Sequence, residues 1–401
     1  MRQPRVTLPD RHLLTINGGS SSIKFALFGD DDGLERILTG SVDRIGMPGS
    51  LLRTKTEAST EQRPVEAPDH VAAVGILMDW IEERGGHETL SAVGHRVVHG
   101  GPAHREPERI TSELLEDLRK MGPFDPEHLP EEILLAETIH QHFPELPQVA
   151  CFDTTFHRDM PRVARMLPIP RCYEENGAQR YGFHGLSYES IVQQLRALGE
   201  PMVTTGRAIL AHLGSGASLV ALRDGRSVDT SMGFTPAGGV SMGTRSGDLD
   251  PGLAWHMFRT EGMDSKHWNE MVNFQSGLLG VSETSSDMRD LLCREAQDSR
   301  AREAVDLFCY QVKKWIGSFA AALGGVDLIV FAGGVGENAP LVRERICDGL
   351  GFLGIELDQK RNFANEGVIS TVSAKVGTRI VHTDEESVIA ATVRRVVARN
   401  R

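Results

Sequence analysis

Two stretches that lie far apart in the chain follow the same plan, and this repeat constrains the fold more than any other feature. In each, an apolar run leads into a turn of glycine and serine, and a second apolar run and another turn follow. The first stretch is His12–Phe28 and the second is Ala208–Gly225. The separation is much longer than a solenoid period. We therefore interpret the repeat as a duplicated domain, with two similar α/β halves that face one another.

The first turn, Gly18-Gly19-Ser20-Ser21-Ser22, has the composition of a phosphate site. Glycine tolerates positive φ angles, so the backbone N–H groups of such a turn can converge on one anion. Serine hydroxyls add donors, and Lys24 adds a positive charge just beyond. An ordinary hairpin loop is the alternative interpretation. The pattern G-x-x-x-x-G-K-[ST] does not occur in the sequence, so the turn is not a P-loop.

Composition excludes several classes of protein. The 401 residues suffice for two domains of ordinary size. The net charge of −12 argues against nucleic acid or an anionic membrane as partner. No apolar stretch approaches the roughly 20 residues of a membrane span, and residues 1–10 are polar without an apolar leader segment. The five cysteines are scattered without C-x-x-C spacing, which predicts reduced thiols, a cytoplasmic location and no structural zinc.

Between the two hairpins the pattern predicts alternating helices and strands. A helix is expected from His70 to a Gly85-Gly86 cap. Strands are expected over residues 92–98 and 149–152, with Arg96 near a glycine-rich end and Asp153 at the end of the second. Such strand ends are where open α/β sheets bind ligands. The turn-rich stretch 40–66 predicts a surface excursion.

The second half contains a loop and a glycine motif of interest. Residues 229–252 have no element periodicity and hold Arg245 among six glycines, which is typical of a functional loop. After a predicted strand, residues 334–339 match G-x-G-x-x-A, so a dinucleotide enzyme is an alternative. No second Rossmann half follows, which counts against it. Asn338 is predicted to cap the helix from Pro340 to Leu350, and 383–386 to form a capping box on the last helix.

The chemistry-bearing residues favour phosphoryl transfer. The chain offers two phosphate turns, isolated arginines at a strand end and in a long loop, and scattered carboxylates. No Ser-His-Asp or metal-ligand spacing is evident. Positioning and charge neutralisation dominate the transfer of a phosphoryl group, and this inventory supplies both.

Ten motifs over nearly the whole chain resemble the acetate/propionate kinase family, within the superfamily of sugar kinases, actin and chaperone ATPases. The motifs are TINGGSSSIKF (15–25), GHRVVHGG (94–101), FDTTFH (152–157), RYGFHG (180–185), HLGSGAS (212–218), DTSMGFTP (229–236), MGTRSGDLDPG (242–252), SSDMRD (285–290), GGVGEN (333–338) and TDEE (383–386). The resemblance implies an α/β fold of two duplicated ribonuclease H-like (actin-like ATPase) domains around a central cleft. It places residues 1–153 and 386–401 in the N-terminal domain and 154–385 in the C-terminal domain.

The resemblance also implies an activity. It is the reversible, Mg²⁺-dependent transfer of a phosphoryl group from ATP to acetate, giving acetyl phosphate and ADP, by a cytoplasmic homodimer. A propionate or butyrate kinase is an alternative. A further alternative is a non-catalytic nucleotide-binding module of the actin or chaperone type. That interpretation leaves Arg96 and Arg245 without a role.

Residue roles follow from the same resemblance. The implied catalytic residues are Asp153, His184, Arg245 and Arg96, and the implied metal ligands are Asn17 and Glu385. Arg96 would take the substrate carboxylate, and the acyl pocket would be lined by Val98, Phe124, Phe183 and Pro236. The implied nucleotide contacts are Lys24, His212, Leu213, Gly214, Ser215, Gly216, Asp287, Met288, Arg289, Gly334, Val335, Gly336, Glu337 and Asn338.

The chemistry of a carboxylate acceptor agrees with these roles. A carboxylate is ionised at neutral pH and attacks the γ-phosphorus without a strong base. Asp153 is therefore expected to position metal and water rather than to remove a proton. Two arginines and a histidine would offset charge on the phosphoryl oxygens.

Four positions depart from the family pattern. Asp125 stands where the family usually has histidine, and we expect it to repel phosphate. Phe124 replaces leucine, so the acyl pocket should be no larger than usual and should prefer acetate to propionate. Ser215 replaces asparagine, and Met288 replaces an adenine-side aromatic residue. The segment 237–240 also differs.

Overall fold

The computed structural model describes residues 11–19, 21–84 and 86–399. Ser20 of the predicted turn, Gly85 of the predicted cap and residues 1–10 lie outside the described residues. The chain divides into two compact units, Met1–Thr155 with Asp384–Arg401 and Phe156–Thr383. The boundaries predicted at 153/154 and 385/386 lie within two residues of these limits. That the units are independent domains stays a prediction.

Thirteen strands and sixteen helices are present among the described residues, and four short 3₁₀ turns join them. The strands are β1 His12–Gly19, β2 Ser22–Gly29, β3 Arg36–Asp43, β4 Leu51–Lys55, β5 Thr60–Pro64, β6 Leu90–Val97, β7 Glu108–Arg109, β8 Gln148–Phe152, β9 Arg207–Leu213, β10 Ala217–Arg223, β11 Arg226–Thr230, β12 Leu328–Ala332 and β13 Gly377–Ile380. The helices are α1 His70–Glu82, α2 Ser112–Lys120, α3 Leu129–His142, α4 Arg162–Arg165, α5 Arg171–Glu175, α6 Gly185–Ala197, α7 Met202–Thr205, α8 Pro251–Thr260, α9 Ser265–Phe274, α10 Gly277–Ser282, α11 Met288–Arg294, α12 Ser299–Leu323, α13 Gly333–Asn338, α14 Pro340–Cys347, α15 Gln359–Phe363 and α16 Glu385–Ala398.

The first unit is built on an eight-stranded sheet with the order β5-β4-β3-β2-β1-β6-β8-β7. Strands β1, β2 and β3 form an antiparallel meander, and β6 and β8 run parallel to β1. The apolar runs on both sides of the first turn pair with each other, Ile16 opposite Phe25. Both side chains are buried in the core cluster that also contains helices α1 and α3.

Residues 40–66 are largely exposed, as the predicted surface excursion implies, but they are not a loop. The structure has the end of β3, then β4 and β5, in this stretch. Every residue of β5 is exposed, so no apolar alternation marks the strand in the sequence. Gly40 lies opposite Phe25, and a Cβ at Gly40 would overlap the Phe25 ring. Glycine is therefore a strand residue here because an aromatic side chain covers it.

The second unit repeats the sheet of the first. Its order is β11-β10-β9-β12-β13. Strands β9, β10 and β11 are antiparallel, and β12 and β13 run parallel to β9. The order and strand directions match those of β3-β2-β1-β6-β8. This shared arrangement confirms the predicted duplication and the ribonuclease H-like fold class.

Two helix starts differ from prediction. Asn338 is the last residue of α13, and α14 begins after Ala339, which makes no side-chain cap. The last helix is capped by Asp384, whose Oδ1 accepts the Ser387 N–H at 3.1 Å, and not by Thr383. Threonine and aspartate are both good N-caps, so the sequence alone did not choose between them. The Thr383 N–H instead donates to Glu337.

Helix α16 returns to the first sheet and brings Glu385 with it. A Cβ at Gly94 of β6 would overlap the Ile389 and Val393 side chains of this helix. Glycine at 94 thus allows the helix backbone to approach the strand closely. In the described part of the chain, no helix is long and apolar enough to cross a membrane.

Candidate active site

Arg96 is the centre of a polar cluster in the first unit. Its Nη2 and Nε donate to Asp153 Oδ2 at 2.6 and 3.1 Å, and its Nη1 donates to Asn17 Oδ1 at 3.1 Å. Glu385 lies 3.8 Å from Arg96 Nε. The cluster forms because β1, β6 and β8 are neighbours in the sheet and carry Asn17, Arg96 and Asp153 at their corresponding ends. The structure thus brings together four residues that are far apart in the sequence.

The donor set of this cluster fits a hard divalent cation. Asp153 is fully buried, and its Oδ1 has no hydrogen-bond partner among the described residues. Burial raises the pKa of Glu385 to about 7, and the charge of Asp153 adds to this rise against the opposing effect of Arg96. The described residues contain no group of three or more acid, His or Cys ligands. Mg²⁺ is commonly held by one or two carboxylates plus substrate phosphates, which this pair could provide.

Both ends of the Asn17 amide are hydrogen-bonded within this cluster. Its Nδ2 donates to Glu385 Oε2 at 3.3 Å, and its Oδ1 accepts from Arg96 Nη1. Its role as a metal ligand stays a prediction. Lys24 lies opposite Asn17 in the β1–β2 pair and is exposed. The positive charge of Lys24 also lowers the pKa of Glu385 slightly.

A buried acid that sequence reasoning missed lies behind the strand that carries Arg96. Glu132 of α3 is 5% exposed, and its Oε2 and Oε1 accept the Val98 N–H at 3.0 and 3.2 Å. The signal was present in the sequence, because Glu132 stands among the core positions Leu129, Ile133 and Ala136 of the same helix.

Asp125 is buried and paired, which bears on its expected repulsion of phosphate. Its Oδ1 lies 2.9 Å from His128 Nδ1 and accepts the His128 N–H at 3.3 Å. Protonated His128 would offset the charge of Asp125. The neighbouring Phe124 ring stands edge-on to His99, with centroids 5.7 Å apart, and packs against the core cluster that includes Val97 and Leu118. Val98 of the predicted acyl pocket is also buried.

In the second unit, a histidine and an arginine converge on the turn between β9 and β10. A Cβ at Gly216 would lie 3.3 Å from His184 Nε2 and 3.8 Å from Arg245 Nη1. Glycine at 216 lets both nitrogen atoms approach the backbone of the turn closely, and both groups are donors suited to a phosphoryl oxygen. His184 has φ 59° at the start of α6, and such strain in a non-glycine residue is typical of functional sites.

A hydrogen-bonded chain orients the His184 ring. The Ser218 hydroxyl lies 2.9 Å from His184 Nδ1, and the Tyr188 hydroxyl lies 2.5 Å from Ser218 Oγ. Tyr188 and Ser218 are both fully buried. The ring of His212, held by Ser187 at 2.7 Å, lies 4.4 Å from the His184 ring centroid. Tyr188, Ser218 and Ser187 were not singled out by the sequence, because their contacts arise only from tertiary packing.

The glycine motif of residues 333–338 is a short helix beside the same turn. Gly333 has φ +75°, and a Cβ there would lie 2.7 Å from the Leu213 carbonyl oxygen. Glu337 Oε1 accepts the Gly333 N–H at 3.0 Å. The fully buried Arg343 donates to the Gly336 and Glu337 carbonyls at 2.8 and 3.0 Å, and it therefore holds the end of this helix.

The remaining predicted nucleotide contacts lie on α11 and the turn. Asp287 caps α11 and pairs with the exposed Arg289 at 2.6 Å. The Gly243 N–H donates to the Ser215 carbonyl at 2.9 Å, and a Cβ at Gly243 would lie 3.2 Å from the Ser286 carbonyl. The start of α11 is thus close to the turn. Met288 is 3% exposed and packs inward.

The two acyl-pocket residues of the second unit are both buried. Phe183 lies immediately before His184, and Pro236 lies in the loop that carries Arg245. No contact between the two side chains is established. The acyl pocket and all residue roles stay predictions.

Comparison with known proteins identifies the family. The model of the acetokinase family matches residues 12–391. The chain belongs to the acetokinase family. It is 41% identical over 391 residues to an acetate kinase of Rhodopseudomonas palustris and 39% identical over 393 residues to one of Bacillus cytotoxicus, covering 96% of this chain and 98% of each relative. The resemblance predicted from the motifs is confirmed.

Solved structures of family members agree. The crystal structure of Porphyromonas gingivalis acetate kinase matches with a TM-score of 0.86 and 36% identity, covering 96% of this chain and 100% of that one. A propionate kinase from Francisella tularensis matches with a TM-score of 0.89 and 34% identity, covering 95% and 98%. The fold is therefore that of the acetokinase family.

Proposed function

We propose that this chain is an acetate kinase, which transfers the γ-phosphoryl group of ATP reversibly to acetate and gives acetyl phosphate and ADP. Family membership supports the reaction class. The approach of His184 Nε2 and Arg245 Nη1 to the same side of Gly216 is the observation that carries the proposal. Two donors at one point are what the equatorial oxygens of a transferring phosphoryl group require.

Arg96 is proposed to bind the acceptor carboxylate. An arginine has five N–H donors, and three of those of Arg96 are used by Asp153 and Asn17. Two are left for the substrate. The ion pair with Asp153 fixes the guanidinium plane, so the planar fork is oriented before the carboxylate arrives.

Mg²⁺ is the proposed cation, held by Glu385 and by Asp153 Oδ1. When bound, it neutralises charge on the nucleotide phosphates. Asp153 accepts hydrogen bonds from Arg96 and cannot serve as a strong base while so paired. Its proposed role is therefore to position Arg96 and the cation. Lys24, on the neighbouring strand, is proposed to contact the nucleotide phosphates.

The nucleotide is proposed to lie on the second unit. The turn 213–216 lies beside the start of α13, and α11 begins near the same turn. Because Met288 packs inward, only the small exposed part of its side chain would offer the adenine an apolar surface.

A propionate kinase is the second candidate, favoured by the likeness to the Francisella tularensis protein. The inward position of the Phe124 ring favours acetate, because one methylene in a tight apolar pocket changes discrimination by about 1–3 kcal/mol. We expect kcat/KM for acetate to exceed that for propionate by roughly tenfold or more, and Phe124→Ala to reduce this ratio. Equal or better use of propionate by the unmodified protein would favour the second candidate.

A homodimer is also proposed, through α8. Trp255 and Phe258, three residues apart on one side of this helix, are exposed, and exposed apolar patches mark interaction sites. Light scattering after size exclusion is expected to give twice the chain mass, and Trp255→Glu is expected to reduce it. A monomer at all concentrations would contradict the proposal.

The activity is tested by ADP release coupled to NADH oxidation, with acetate, propionate, butyrate and no carboxylate as parallel samples. Each is run with Mg²⁺ and with a chelator. We expect ADP release that requires both acetate and the cation. Release without any carboxylate would instead indicate an ATPase of the actin or chaperone type.

A further inference from the structure

Glu132 is a buried carboxyl group with a single donor. The Val98 N–H donates to both of its carboxylate oxygens, at 3.0 and 3.2 Å. Among the described residues, no Lys or Arg forms an ion pair with Glu132. A buried carboxylate without a cation is strongly disfavoured, and such groups retain their proton instead.

The charged groups around Glu132 explain why no cation compensates it. The charge of Arg96 acts on Glu132, but the hydrogen bonds of Arg96 go to Asp153 and Asn17. Three charged groups act on Glu132. They are Asp125, which precedes its helix, Arg96 on β6, and Asp153 at the end of β8. His128 is paired with Asp125.

The direction of the pKa agrees with this geometry. Burial raises the pKa of Glu132 well above its ordinary value, the Val98 N–H opposes this, and the charges of Asp125 and Asp153 add to it while Arg96 opposes it. Glu132, Asp125 and Asp153 thus lie near one arginine and one histidine, and Glu385 lies 3.8 Å from the same arginine.

We propose that Glu132 stands as a neutral carboxylic acid at neutral pH and that its neutrality allows Arg96 to bind the carboxylate substrate. This inference rests on the proposed function. Glu132 acts through the backbone of Val98, two residues after Arg96, and is a positioning residue. Ionised Glu132 would add a further negative charge beside Arg96 and weaken its attraction for an anionic acceptor.

The test compares the unmodified protein with Glu132→Gln and with Glu131→Gln. Glutamine at 132 can still accept the Val98 N–H but cannot ionise. Glu131 is the matched control because it is the next residue on the same helix, and its side chain is 34% exposed near His70. KM for acetate and KM for ATP are measured over a pH series from acid to alkaline values, because a buried carboxyl group whose pKa is raised keeps its proton above its ordinary range.

We expect KM for acetate in the unmodified protein and in Glu131→Gln to rise by about tenfold towards alkaline pH. Tenfold is the change in binding that a free-energy difference of about 1.4 kcal/mol gives. KM for ATP should change little over the same range. In Glu132→Gln, KM for acetate should stay near the value that the unmodified protein shows at the acid end. An equal alkaline rise in Glu132→Gln would overturn the proposal.

Infrared spectroscopy gives a readout that does not depend on activity. The C=O stretch of a protonated carboxylic acid should be present in the unmodified protein at neutral pH and be weaker in Glu132→Gln. Absence of that band from the unmodified protein would overturn the proposal even if the variant failed to fold. Absence of acyl phosphate formation at every pH would instead contradict the proposed function, so the two failures are distinguishable.

Discussion

Arg96 and Asp153 form a buried ion pair in which one carboxylate oxygen accepts two N–H groups of the guanidinium, at 2.6 and 3.1 Å. Asp153 is fully buried and Arg96 has a 19% exposed side chain. The pair joins the ends of two neighbouring parallel strands, β6 and β8. It is therefore both a structural contact of the first sheet and the proposed anchor of the acceptor site.

Removal of this arginine should destabilise the protein. Arg96→Gln leaves Asp153 without its cation, and breaking a buried pair in this way lowers the free energy of unfolding by about 3–5 kcal/mol. Arg53→Gln is the control, because Arg53 lies 3.5 Å from Asp43 and is half exposed. This variant should lower the free energy of unfolding by less than about 1 kcal/mol. Urea titration measures both. Similar losses in the two variants would contradict a structural role of the Arg96 pair.

Arg245 is expected to act on the transition state. Arg245→Ala should lower kcat by roughly 10³-fold, as loss of an arginine that stabilises a transferring phosphoryl group does. KM for ATP should change little. Arg226→Ala, an exposed arginine on β11, is the control and should leave both constants unchanged. A large rise in KM for ATP with kcat intact would show that Arg245 contacts the nucleotide only in the ground state.

The chain from Tyr188 through Ser218 should fix the orientation of His184. Tyr188→Phe removes one hydrogen bond, whose net value is about 1 kcal/mol, and should lower kcat about fivefold without changing KM for ATP. The ¹⁵N resonances of His184 should shift in this variant. Tyr173→Phe, at a residue 55% exposed, should change neither. Unchanged His184 resonances in Tyr188→Phe would contradict an orienting role of this hydrogen-bonded chain.

His95 should make the stability of the first unit depend on pH. Burial lowers its pKa to about 4, against the hydrogen bond to Gln148 at 2.6 Å. Because the folded pKa is below 6.5, the unfolded chain takes up the proton first. Stability is therefore complete above about pH 6.5 and is lost as the pH falls towards 4, by at most about 3 kcal/mol. His95→Gln should flatten this dependence, whereas the exposed His256→Gln should not. Equal slopes of unfolding free energy against pH in the two variants would refute this assignment.

The sequence predicted the elements that have a buried apolar run or a strong helix period. The strand that carries Arg96 and the strands that lead to Asn17 and Asp153 were predicted for this reason, as were both hairpins. Strand β5 was missed because all its residues are exposed. The helix cap at Asp384 was missed because Thr383 is chemically as suitable, and only the position of Glu337 decides between them.

The candidate site could be predicted only in part. Family motifs named Arg96, His184 and Arg245, but they could not show that Arg96 is already paired with Asp153. Glu132 had a signal, since an acid stood at a core position of a helix. Its partner, the Val98 N–H, lies on a different element, so no local pattern could reveal the contact.

The central claim is that acetate is the phosphoryl acceptor, and trapping the product tests it most directly. Purified protein is incubated with ATP, Mg²⁺ and acetate in the presence of hydroxylamine, which converts an acyl phosphate to a hydroxamate. We predict acetohydroxamate in amounts that match the ADP formed, and none when Arg245 is replaced by alanine over the same time. ADP formation without hydroxamate from acetate, propionate or butyrate would contradict the account.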